Sequence, residues 1–167
     1  MRSGKSDYKI IRVTPTVDTS AYAAGDVMFT ATEIPNAVIG LGGCSKIIRC
    51  YIMDQDRDTY DCQLIFTQKN TALGTINATA NISDADMEAI GICGAYLFQT
   101  DAAQVGLIDQ TKIISAQELS GAGESVEPIL IQAENDSTSV YVSGIITDGT
   151  PTFAAADDID IIIHLER

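Results

Sequence analysis

The pentapeptide Asp54-Gln55-Asp56-Arg57-Asp58 carries the most suggestive chemistry in the chain, because carboxylates at the first, third and fifth positions are how a calcium loop begins. The rest of that pattern fails. The sixth residue is Thr59, where a glycine makes the sharp turn, and the twelfth is Ile65, where a bidentate glutamate closes the coordination sphere. The residues favour an acidic hairpin turn facing solvent. Asp157-Asp158 with Asp160 forms a second carboxylate cluster. Strand alternation directs Asp158 and Asp160 outward on a terminal strand, where they suit contact with a neighbouring subunit or water. His164 is the sole histidine, and its neighbours at strand spacing are Ile162 and Glu166. No G-x-S-x-G elbow, glycine-rich phosphate loop or H-E-x-x-H motif occurs, so no catalytic residue and no cofactor are expected. Cys44, Cys50, Cys62 and Cys93 lack any C-x-x-C spacing, and four free thiols with no metal site are the expectation.

The chain of 167 residues has the size of one domain, and its core must come from Ile, Val, Ala and Leu, since aromatics make up 6% and Trp is absent. Formal charge is −13. That disfavours nucleic acid, whose affinity comes largely from Lys and Arg on phosphates. No run of about 18 apolar residues exists to span a membrane as a helix. Nor does the start read as a secretory signal, so a protein made and kept in solution is expected. Residues 1–69 hold eight basic and eight acidic side chains, whereas residues 70–167 hold two basic and fifteen acidic ones. Such asymmetry first serves solubility and can also steer one face toward a partner of opposite sign.

Period-two alternation, the mark of half-buried strands, recurs from end to end. It predicts strands over 8–13, 27–32, 37–41, 46–53, 61–66, 92–98, 112–115, 128–133, 139–147 and 158–165, with 46–66 forming a hairpin around the acidic turn. The polar, threonine-rich segment 68–80 reads as a long surface connection. One helix is predicted over 83–90: Ser83 caps it, Asp84, Asp86 and Glu88 favour its positive end, and Gly91 stops it. The predicted fold is all-β, an antiparallel two-sheet sandwich of Greek-key or jelly-roll type with one short helix near 83–90. A flexible arm over 1–7 precedes a single domain over 8–167. Ile48, Cys50, Ile52, Leu64, Phe66, Ile92, Val140, Val142, Ile161 and Ile163 are the expected core.

Several segments resemble small virion structural proteins of tailed bacteriophages. These are 13–27 (Val-Thr-Pro-Thr-Val-Asp-Thr-Ser-Ala-Tyr-Ala-Ala-Gly-Asp-Val), the strand, D-x-D turn and L-x-F strand of 47–66, the capped turn 83–91, and 149–159. The cysteines and the region 100–127 depart from that pattern. The resemblance implies a capsid decoration, or cement, protein that binds the outside of the assembled shell and stabilises it. A tail- or fibre-associated protein for host attachment is the alternative. The implied partners are the major capsid protein and further copies of the chain, a trimer being favoured, with no nucleic acid and no membrane. The implied location is the capsid surface of the virion, after synthesis in the host cytoplasm. The expected contact residues are Arg2, Lys5, Tyr8, Asp158, Asp160 and His164.

Overall fold

Ten strands and one helix occur among the described residues, which are 7–100, 106–116 and 127–167 of a computed structural model. The strands are β1 (Tyr8–Val13), β2 (Val27–Ile34), β3 (Cys44–Asp54), β4 (Tyr60–Thr67), β5 (Ile92–Gln99), β6 (Gly106–Ile108), β7 (Thr111–Ser115), β8 (Ile129–Gln132), β9 (Val140–Gly149) and β10 (Ile159–Glu166). The helix α1 (Asp84–Ala89) lies between β4 and β5. None of the described helices is long and apolar enough to cross a membrane.

One sheet runs β1-β10-β3-β7-β6, with β8 pairing the other half of the same edge of β3, and the second runs β2-β9-β4-β5. Every strand pair is antiparallel. With the β6–β7 hairpin set aside as an insert, β1-β10-β3-β8 faces β2-β9-β4-β5. That is the eight-stranded jelly roll, the more specific of the two topologies the sequence suggested. It also corrects the expected hairpin over 46–66. β3 and β4 belong to different sheets, so the Asp54–Asp58 turn is an arch between layers.

Registered rows of apolar side chains build the core. Ile11, Ile163 and Cys50 stand opposite one another, as do Val13, Ile161, Ile52 and Ile114. The facing sheet contributes Ile146, Cys62 and Phe98, then Leu64 with Tyr96. All of these are buried in one cluster. Gly144 is flat for a reason: a Cβ there would lie 2.5 Å from the ring of buried Phe29. Tyr96 stitches the layers together. From β5 its hydroxyl accepts the Ile129 N–H of β8 at 3.2 Å and offers its proton to the carbonyls of Ile47, at 3.2 Å, and Glu127, at 3.1 Å.

Two expected core residues are exposed. Ile48 sits where β3 slips register against β10, and Ile92 lies beyond the irregularity between Phe66 and Thr67. An extra residue in one strand reverses which face the next side chain takes, so simple alternation fails at both places. The strand expected over 37–41 is instead a bend through Gly40 and Gly42, both at positive φ.

The helix forms as its signals dictate. Ser83 accepts from the Asp86 N–H at 3.1 Å, and Gly91 at φ 66° ends the run. The segment before it is more than a surface connection. Val27 bridges to Ile76 and Asp26 to Thr79, and the Asn81 and Ile82 N–H groups both donate to the Leu73 carbonyl. This strap lays Leu73 and Ile90 on Val27 and Ile65, forming a second small core on the outer face of the four-stranded sheet.

Candidate interaction surface

The outer face of the six-stranded sheet has no such strap among the described residues. Its rows follow from the register: Tyr8, Glu166, Lys46 and Leu130; then Ile10, His164 and Arg49; then Arg12, Ile162 and Tyr51. Tyr8, Ile10 and Leu130 are 64%, 65% and 59% exposed, and the bulged Ile48 adds to them. Tyr51, Met53, Ile162 and His164 are half-buried between. Apolar side chains left facing water together mark contact sites more often than isolated ones do. An open cleft of about 290 Å³, lined by Cys44, Ser45, Lys46, Leu130, Glu166 and Arg167, continues the face at one corner.

The basic residues gather here too. Arg12 of β1 and Lys46 and Arg49 of β3 stand on this face, while Lys9, opposite buried Leu165, turns to the other side; β2, β4, β5 and β9 contain no Lys or Arg at all. Lys46 and Arg49 are exposed and have no ion-pair partner among the described residues. Arg12 lies over Asp160, whose carboxylate also accepts from Thr14 Oγ1 at 2.5 Å. Hydrogen bonding to Asp160, ahead of simple attraction, raises the already high Arg12 pKa.

The sequence-predicted contact residues are therefore divided. Tyr8 and His164 lie on this face, His164 with its ring 5.5 Å from that of Tyr51 in an edge arrangement. Asp160 does point to the same side but is 0% exposed, because Arg12 and Thr14 close over it. It holds β1 to β10 and offers nothing to a partner. Asp158 precedes β10, at the far end of the sandwich. Arg2 and Lys5 lie outside the described residues. Ile10, Lys46, Arg49 and Leu130 were missed. The signal for three of them is the tetrapeptide Lys-Ile-Ile-Arg, present at 9–12 and again at 46–49, on the two strands that flank β10.

The carboxylate clusters converge at that far end, where they tie loops together. Asp54 Oδ1 accepts from the Asp56 and Arg57 N–H groups at 2.8 and 3.0 Å, the geometry of an Asx turn. Asp58 accepts from Thr152 N–H at 2.7 Å, Asp56 from Ala154 N–H, and Asp158 from Ala155 N–H. Lys112 Nζ donates to the Asp58 carbonyl at 2.6 Å, and the Phe153 ring wedges between Tyr22 and Tyr60. The turn expected to face solvent is thus partly interior, with Asp54 fully buried.

Burial pushes the Asp54 carboxyl up to about 6, against the pull of the two N–H groups and of Lys112. Its Oδ2 and the Tyr60 hydroxyl are buried without a hydrogen bond of ordinary geometry, although Asp54 is close enough to push the Tyr60 phenol further up, beyond the effect of burial. Asp158 is raised by burial first and by neighbouring Asp56 next. No group of three or more metal-ligating side chains occurs among the described residues. The cysteines are all unbonded, and burial raises the Cys50 and Cys62 thiols well out of the reactive range. No protein-family model and no curated protein matches the chain.

Proposed function

We propose that the chain is a non-enzymatic virion structural protein of a tailed bacteriophage, and that it acts as a capsid decoration protein bound to the outside of the assembled shell. The observation that carries this reading is a jelly roll whose polar clusters are spent on internal ties, while one sheet presents a bare, basic and apolar face. Jelly rolls recur in viral capsid domains, which is support by analogy of fold. The internal ties add physical support. Carboxylates that accept backbone N–H groups, and thiols shifted away from reactivity, serve a rigid body that docks. His164, packed edge-on against Tyr51, has no nucleophile beside it among its paired neighbours Ile10 and Arg49.

Antibody labelling of purified virions of the phage that encodes the chain, followed by cryo-electron microscopy, tests the proposal. Density for a two-layered β domain at symmetric positions on the outer shell is the expected result. Absence from the particle overturns it, and density confined to the tail replaces it with a role in host attachment.

A further inference from the structure

The molecule has two outer sheet faces of opposite charge. On the bare face, Arg12, Lys46 and Arg49 stand against Asp160 and Glu166, leaving one positive charge in a chain of net −13. On the other side, α1 lies between Ile82 and Ile90, which pack in the small core over the four-stranded sheet. It presents exposed Asp84, Asp86 and Glu88, with no basic residue in its last turn. Apolar groups are interleaved with charge on both sides. Met87 and Ile92 are exposed beside the acidic helix, as Ile10 and Leu130 are beside Lys46 and Arg49. No Lys or Arg lies in α1 or in any strand beneath it. Each face thus offers what the other lacks.

We propose that a second copy of this chain is the occupant of the bare face: the outer surface of β1-β10-β3-β8 in one protomer docks on the α1 cover of the next, head to tail. The two sides are complementary in charge, which favours orientation and rate of encounter as well as register. A face-to-face dimer of two bare faces would set Lys46 and Arg49 against their own copies. The heterologous contact avoids this and leaves one bare face and one α1 cover unused at the two ends of the pair, so it closes into a ring or extends into a filament according to the rotation between neighbours. This inference does not depend on where the protein acts, and it survives if the virion reading fails.

Sedimentation velocity of the full chain across a concentration series, at low and at high salt, tests it. The wild type is expected to exceed the monomer mass of 17.8 kDa at low salt and to move toward it at high salt. Lys46→Glu with Arg49→Glu should weaken association at least tenfold, and so should Asp84→Lys with Asp86→Lys and Glu88→Lys. All five positions are exposed, and a thermal melt of each variant separates loss of the helix start, which Asp84 and Asp86 favour, from loss of the interface. An equimolar mixture of the two variants should associate again, because each reversed face now meets its complement. A wild type that is monomeric throughout overturns the proposal. So does a mixture that stays monomeric, or an assembly that only the Lys46 and Arg49 changes disrupt, which would mark a contact that does not use the α1 cover.

Discussion

The two sheets place apolar side chains on their outer faces and treat them differently. Over the four-stranded sheet, the chain turns back and covers Val27 and Ile65 with its own Leu73 and Ile90. Over the six-stranded sheet, Tyr8, Ile10, Ile48 and Leu130 have no comparable cover among the described residues. Burying a leucine-sized side chain contributes roughly 1.5–3 kcal/mol, so the strap stabilises the fold, whereas the same chemistry on the bare face remains available for association. The difference separates a face that completes the protomer from one that can complete an assembly.

A matched pair of substitutions breaks or upholds that contrast. Leu73→Ala, in the strap at 1% exposure, should cost about 2–4 kcal/mol in urea denaturation, while Leu130→Ala on the bare face should cost the protomer less than about 0.5 kcal/mol. Equal losses would mean that the bare face is not bare. The seam between the layers comes next in size. Tyr96→Phe leaves the Ile129 N–H and the Ile47 carbonyl without their shared partner, and should cost roughly 1–2 kcal/mol by the same measurement.

The acidic end should respond with the opposite sign. With a folded pKa of about 6 against an ordinary 3.8, Asp54 holds its proton more tightly folded than unfolded. Its contribution is therefore most favourable below the unfolded value and is lost as pH rises from 3.8 through 6. Asp54→Asn keeps an acceptor for the Asp56 and Arg57 N–H groups and removes the buried charge. It should stabilise the protein by about 1 kcal/mol at pH 7 and flatten the stability profile between those two pH values, measured by thermal melts across pH. A destabilised variant would show that the attraction of Lys112 outweighs burial.

Much of the architecture was legible because it rests on period two. All of the alternating runs except 37–41 became strands, and Ser83 and Gly91 bounded the helix. What alternation cannot show is a local change of phase. Bulges turned Ile48 and Ile92 outward, and nothing local announced that the Asp54 arch would cross between sheets. The surface was half legible for a related reason. Outward-facing Tyr8 and His164 follow from strand parity, but the fate of Asp160 depends on Arg12, 148 residues away in sequence. The strap was missed because Leu73 stands as an isolated large apolar residue in a polar segment, and its burial comes from hydrogen bonds to β2 that no local pattern encodes.

The central claim is that the outer face of β1-β10-β3-β8 serves association and not the folding of the protomer. Sedimentation velocity on Ile10→Asp with Leu130→Asp, paired with a thermal melt, addresses it most directly. The account predicts a melting temperature within about 3 °C of the wild type together with complete loss of self-association. Unchanged association, or a protomer that unfolds, would contradict it.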